Sequence, residues 1–192
     1  MRVRVLLVSS GLLALSMASG PLSGQRVSPA VAPPAGLRSV FSLAGGGLKD
    51  TNGDGLVDSI AARVILAADA SAEDVQVATN LAARLGYETT ALTLPIALRV
   101  TDVQAPASIG LPIVVGRTNP FVKALVEKGV VLTKDLTAGQ GVVAFVSSPL
   151  GGPDGIAVVG ADDAGTLAAG TALAAYLPRL WGSTGSKIET AE

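Results

Sequence analysis

The stretch GIAVVGADDAGTL at residues 155–167 decides the fold, because it passes from a strand through a glycine turn into a helix. Residues 155–159 are small or β-branched and apolar, which predicts a buried strand that ends at Gly160. Asp162 stands where a short carboxylate side chain accepts hydrogen bonds from the first free N–H groups of a helix. We therefore predict a strand, a tight turn and a helix over residues 163–176.

The same alternation of strand-like and helix-like segments continues toward the amino terminus. Ser71 and Pro120 are suited to begin helices, and Gly86 is suited to end one. The order β-α-β, β-α, β-β-α predicts an α/β (α+β-like) fold, in which helices pack on a mixed sheet in two or three layers. Strands are predicted at residues 62–66, 88–94, 111–115 and 141–147, and helices at residues 71–85 and 120–128.

Composition excludes several classes of function. The chain lacks histidine and cysteine, so it has no histidine base, thiolate nucleophile, disulfide or zinc site of its own. Its net charge of −1 is unlike the basic surface of a nucleic-acid-binding protein, so we expect no nucleic-acid partner. Aromatic residues make up only 3% of the chain, which predicts a core of small aliphatic side chains. We expect no catalytic residues. Enzyme activity of this chain alone is therefore disfavoured, although the sequence does not exclude it.

The amino terminus has the pattern of a secretory signal peptide, predicted at residues 1–18. Arg2 and Arg4 precede an apolar run, and small residues at Ser16 and Ala18 suit cleavage. The alternative is a membrane anchor, but the run is shorter than the ~20 apolar residues that a spanning helix needs. Residues 19–36 are rich in proline, glycine and serine and are predicted to be a linker. We thus expect an exported protein, periplasmic or extracellular, with no stable membrane span after the leader is removed.

A lead-in segment at residues 37–61 contains the loop KDTNGDGLVD, residues 49–58. Oxygen-bearing side chains stand at every second position, and Gly55 follows where the loop must turn sharply. A hard dication needs six to eight oxygen ligands, and three neighbouring carboxylates repel one another unless a cation neutralises them. The predicted ligands of calcium are Asp50, Asn52, Asp54, the backbone carbonyl of Leu56, and Asp58.

This loop departs from a helix–loop–helix calcium site in two respects. Ala61 occupies the twelfth position, where a bidentate acid is usual, and no helical pattern precedes Asp50. The segment resembles the dockerin-like and thrombospondin type 3-like calcium loops of extracellular proteins, which implies that water or an acid from elsewhere completes the ligand shell. The alternative is a plain turn with solvated acids.

A second resemblance extends over residues 60–180. The strand, turn and acidic helix start of residues 155–167, with the strand at 113–116, resemble the non-catalytic N-terminal α/β domain of β-hexosaminidases and α-glucuronidases. This resemblance implies that glycoside hydrolysis belongs to a following barrel, whose catalytic acids have no counterpart here. We place the α/β domain at residues 62–182, and a tail or the start of a further element at 183–192.

Three functions follow as expectations. The first is an exported, calcium-binding accessory module without catalytic apparatus, which docks onto an unknown protein or carbohydrate partner. The second is the non-catalytic N-terminal domain of a carbohydrate-active hydrolase, and the third is a structural component of the cell envelope. Asp162 and Asp163 are adjacent acids, but neighbours at a helix start point in different directions, so we predict capping rather than a glycosidase pair.

Overall fold

The computed structural model describes residues 37, 43–87, 89, 93–175 and 187–189. The predicted signal peptide at 1–18 and linker at 19–36 lie outside the described residues. The helices are α1 (Ala72–Tyr87), α2 (Pro120–Glu127) and α3 (Asp163–Ala175). The strands are β1 (Leu48–Lys49), β2 (Ser59–Ile60), β3 (Ala62–Leu66), β4 (Ala97–Arg99), β5 (Leu111–Val115), β6 (Gly141–Val146), β7 (Gly155–Gly160) and β8 (Lys187–Glu189).

The main sheet has six strands in the order β4-β3-β5-β7-β6-β8, and β1 and β2 form a separate two-stranded sheet. The four strands β4, β3, β5 and β7 run parallel, whereas β6 runs antiparallel to both of its neighbours. Strand β4 pairs with one edge of β3, and β5, which follows β4 in the chain, pairs with the other edge of β3. The predicted mixed α/β sheet is therefore confirmed.

Helices cover both faces of this sheet, so the domain has three layers. In β3, Val64 belongs to the same core cluster as Leu81 of α1, while the next residue, Ile65, belongs to the second core cluster with Val122 of α2. Successive side chains of a strand point to opposite faces, so a strand buried on both sides reads as a continuous apolar run. Leu173 places α3 in the same core cluster as α1. The sequence predicted either two or three layers, and the structure has three.

Small residues let these layers approach closely, as the low aromatic content predicts. A Cβ atom on Gly170 of α3 would lie 2.3 Å from a methyl group of Val77 in α1. A Cβ atom on Gly141 of β6 would lie 2.2 Å from the carbonyl oxygen of Gly165 in α3. Helix α3 can therefore lie in contact with both α1 and the sheet only because these positions lack side chains.

One predicted helix end and one predicted strand differ from the structure by more than a single residue. Helix α1 continues through Gly86 to Tyr87, since Gly86 keeps a negative φ and does not form the left-handed turn that ends a helix. The strand predicted at 88–94 is absent at its described residues 89, 93 and 94. The strand beside β3 is β4, and Pro95 precedes it instead of ending it. Ile96 extends this ladder because its carbonyl accepts from Val64 N at 2.8 Å.

The segment assigned to a tail or a further element contributes to the sheet. Strand β8 pairs antiparallel with β6, with Ile188 opposite Val143. Its three residues carry no long apolar pattern, so the sequence offers little signal for this edge strand. Among the described residues, the helices are all too short or too polar to cross a bilayer.

Asn119 joins three elements from a fully buried position. Its Nδ2 donates to the carbonyl oxygens of Ile65 at 2.8 Å and Val115 at 3.2 Å, at the ends of β3 and β5. Its Oδ1 accepts from Phe121 N at 3.0 Å and so caps α2. One side chain thereby satisfies polar groups of two strands and a helix.

Replacing Asn119 with alanine should therefore cost about 2–4 kcal/mol of the free energy of unfolding, because the cap is lost and two buried carbonyls lose a donor. Urea unfolding followed by circular dichroism measures this cost. Asn80→Ala is the matched control, since Asn80 lies on the partly exposed side of α1. A cost for Asn119→Ala as small as that of the control would contradict the role of this side chain.

Candidate functional site

The predicted calcium loop is closed by a short β ladder. Strands β1 and β2 pair antiparallel, with Leu48 opposite Ile60 and Lys49 opposite Ser59. Asp58 N also donates to the carbonyl oxygen of Lys49 at 3.0 Å. Both ends of the loop at residues 50–58 are consequently held side by side.

This ladder is anchored in the core of the α/β domain. Leu48 and Ile60 are each only 1% exposed and belong to the core cluster that contains Leu111 of β5. The carbonyl oxygen of Gly47 accepts from both Ala61 N and Ala62 N at 2.9 Å, which joins the ladder to the start of β3. The loop therefore lies at the amino ends of β3 and β5.

Asp50 organises the first half of the loop. Its Oδ2 accepts from Gly55 N at 2.8 Å, and its Oδ1 accepts from Gly53 N at 2.6 Å. The N–H of Gly55 makes the largest contribution to holding the pKa of Asp50 below its ordinary value, and other backbone N–H groups of the loop add to it against partial desolvation. Gly53 and Gly55 have φ values of +79° and +87°, which favour glycine at both turns.

Asn52 and Asp54 extend the same network. Asn52 Oδ1 accepts from Asp54 N at 3.0 Å, and Asn52 Nδ2 donates to Asp54 Oδ2 at 3.0 Å. Asp54 Oδ1 accepts from Leu56 N at 2.8 Å. The structure thus links the side chains of Asn52 and Asp54 to each other and to the backbone N–H of Leu56. Asp50 instead accepts from the backbone N–H groups of the two glycines.

Asp58 accepts both of its hydrogen bonds from one residue, Thr51. Its Oδ1 accepts from Thr51 N at 2.9 Å and its Oδ2 accepts from Thr51 Oγ1 at 2.7 Å. This contact fastens the end of the loop to its beginning across seven residues. In residues 43–87 and the other described ranges, no three His, Cys, Asp or Glu side chains form a cluster suited to a metal ion.

Ala61, which occupies the twelfth loop position in place of a bidentate acid, has a structural role. Its N–H donates to Gly47, and its carbonyl accepts from Gly110 N at 3.1 Å, next to the start of β5. A Cβ atom on Gly110 would lie only 2.8 Å from the Cβ of Ala61. This residue therefore packs at the junction between the ladder and the sheet.

A second group of polar side chains lies at the carboxyl ends of the parallel strands. Asp162 caps α3, as predicted, because its Oδ1 accepts from Gly165 N at 2.7 Å. This N–H and that of Gly139 lower the pKa of Asp162, with Gly165 contributing most. Asp163 instead pairs with Arg117, with 3.0 Å between Asp163 Oδ1 and Arg117 Nη2. The adjacent acids thus serve separate contacts, as expected for capping.

Asp74 is a buried acid whose environment the sequence did not reveal. It forms a capping box with Ser71, in which Asp74 N donates to Ser71 Oγ at 3.1 Å and Asp74 Oδ2 accepts from Ser71 N at 3.4 Å. Burial is the main cause that raises the pKa of Asp74, and the nearby Asp163 carboxylate adds to it. A Cβ atom on Gly116 would lie 2.3 Å from Asp74 Oδ2, so only glycine fits beside this carboxylate. The spacing Ser-x-x-Asp before an apolar run is the signal that predicts such a box.

Comparison with known proteins finds no protein-family model that matches the chain and no curated protein similar to it. The resemblances to dockerin-like or thrombospondin type 3-like loops and to the N-terminal domain of glycoside hydrolases stay predictions.

Proposed function

We propose that the loop at residues 50–58 binds calcium and that the ion stabilises the attachment of the loop to the α/β domain. The observation that supports this proposal is the pairing of Leu48 with Ile60 in the core. A cation held between the two halves of the loop would oppose their separation, and separation would expose both apolar side chains. In this proposal calcium has a structural role.

The hydrogen bonds of the loop leave oxygen lone pairs that a cation would use. A carboxylate oxygen offers two lone pairs, and each oxygen of Asp50, Asp54 and Asp58 accepts one hydrogen bond from the loop. The second lone pair of each oxygen stays available as a ligand. Asp50, like any aspartate whose pKa is not raised, is ionised over the neutral range, and the backbone N–H groups of the loop lower its pKa further. Asn52 Oδ1, the carbonyl of Leu56 and water would complete a shell of oxygens.

The wider function that we propose is an exported accessory module that docks onto a protein or carbohydrate partner. Export would bring the loop into surroundings where calcium is abundant, so that even a weak site with a dissociation constant of about 0.1–1 mM would be filled. This part of the proposal rests on the leader pattern of residues 1–18 and on the loop, and it includes no catalytic step.

Removing calcium should lower the melting temperature of the protein. An ion at tenfold its dissociation constant stabilises a folded protein by about 1.4 kcal/mol. For a chain of this size, that energy corresponds to a shift of about 3–6 °C. Differential scanning calorimetry with calcium and with a chelator measures the shift, and isothermal titration calorimetry measures binding to the unmodified protein directly.

Asp54→Ala should abolish both the calorimetric binding signal and the chelator-dependent shift. The matched control is Asp69→Ala, which removes an exposed aspartate from the turn between β3 and α1 and should retain both effects. Identical melting curves with and without chelator, together with no heat of binding, would refute the calcium proposal.

Export is tested separately by mass spectrometry of the protein recovered from outside the cytoplasm. Cleavage of the leader should give a new amino terminus near Ser19. A chain that is recovered there with Met1 intact would contradict the proposed leader.

A further inference from the structure

A cleft of about 400 Å³ lies at the opposite end of the sheet from the calcium loop. It opens at the carboxyl end of β7, where Gly160 and Ala161 line it, and one wall is helix α2. In open α/β sheets, ligands bind outside the carboxyl ends of the strands, where the strand order reverses. Here that reversal lies between β3 and β5, and the cleft opens between the ends of β5 and β7. The cleft lies within the size range of small-molecule sites, which is about 300–1,000 Å³.

The floor of the cleft is aliphatic. Val122 and Val159 are buried, and Val126 and Leu136 pack against the same core cluster on the α2 face of the sheet. These four branched side chains come from α2, β7 and the loop before β6. Such a surface favours an aliphatic group of a ligand over a planar aromatic or sugar ring, which is more often stacked on aromatic side chains.

Four polar side chains line the wall of the cleft. Lys123 and Glu127 stand one helical turn apart on α2, and Thr133 lies beside them in the following loop. Within the part of the chain that the structure describes, none of these three side chains makes a hydrogen bond or an ion pair. The fourth polar group, the guanidinium of Arg117, is engaged by Asp163 at 3.0 Å.

We propose that this cleft binds a small zwitterion with an aliphatic side chain, such as a free aliphatic α-amino acid. Lys123 would bind the carboxylate of the ligand and Glu127 its ammonium group, while the side chain lies on the floor formed by Val122, Val126, Leu136 and Val159. One cation and one anion at neighbouring positions match a ligand that carries both charges. The hydroxyl of Thr133 can donate to the carboxylate or accept from the ammonium group.

Three probes with the same aliphatic body separate the contributions of the two charges. L-leucine carries both groups, 4-methylpentanoate lacks the amine, and isopentylamine lacks the carboxylate. Each probe is titrated into the full chain labelled with ¹⁵N, and shifts of the amides of Gly160 and Ala161 report on the cleft. We expect leucine to bind with a dissociation constant of about 1 mM or lower, and each single-charge probe to bind at least about tenfold more weakly.

Charge-removing variants assign the contacts. Lys123→Gln should weaken leucine and 4-methylpentanoate about tenfold and leave isopentylamine unchanged, whereas Glu127→Gln should weaken leucine and isopentylamine and leave 4-methylpentanoate unchanged. Lys128→Gln is the matched control, because it removes a lysine at the end of α2 that does not line the cleft. It should bind all three probes like the unmodified chain.

Several results would overturn this assignment. Amides at Gly160 and Ala161 that do not shift with leucine, in a protein whose spectrum is otherwise folded, would show that the cleft does not bind it. Equal affinity for all three probes would show that only the aliphatic floor binds. If both the Lys123→Gln and the Glu127→Gln variants bind leucine as tightly as the unmodified chain, these two side chains do not contact the ligand.

Discussion

The contact between Leu48 and Ile60 is the interaction on which the account of the loop depends. These residues are direct cross-strand partners, and both are buried in the core that α1 and α3 share with the sheet. The loop between them carries three aspartates and one asparagine on an exposed turn. Apolar burial therefore holds the two ends of a segment whose charges repel one another, and a cation in the loop would act in the same direction as that burial.

The same hydrogen bonds that shape the loop also orient its oxygens. Gly53 and Gly55 donate to Asp50 from left-handed turns, and Asp58 returns to Thr51 near the start of the loop. A loop organised in this way has less conformational freedom to lose when an ion binds. The cleft between α2 and the carboxyl end of β7 lies at the opposite end of the sheet, so the two proposed sites are separated by the core itself.

Local patterns predicted most of the fold. The strands β5 and β7 are short apolar runs rich in β-branched residues, and Ser71, Pro120 and Asp162 mark the helix starts that the sequence predicted. The prediction placed this strand at residues 88–94 instead of 97–99, because residues 88–94 are as strand-like as the segment that pairs with Val64. Strand β8 depends on pairing with β6 over a large sequence separation, which a local pattern does not encode.

The candidate sites were predictable to different degrees. The alternation of oxygen-bearing residues at positions 50–58 predicted the calcium site from sequence alone, and calcium binding there stays a prediction. The packing of Ala61 on Gly110 follows from tertiary structure and carries no local signal. Lys123 and Glu127 look like an ordinary solvated helix pair in the sequence, and only the fold places them over an aliphatic floor.

Amide hydrogen exchange at the ladder tests the central claim most directly. Asp58 N donates to Lys49 and Ala62 N donates to Gly47, so these amides exchange only when the ladder opens. Calcium at tenfold its dissociation constant should slow their exchange about tenfold relative to chelator. The amide of Lys128, at the end of α2, should exchange at the same rate in both conditions. Unchanged rates at Asp58 and Ala62 would contradict the claim that an ion in the loop holds the Leu48–Ile60 pair in the core.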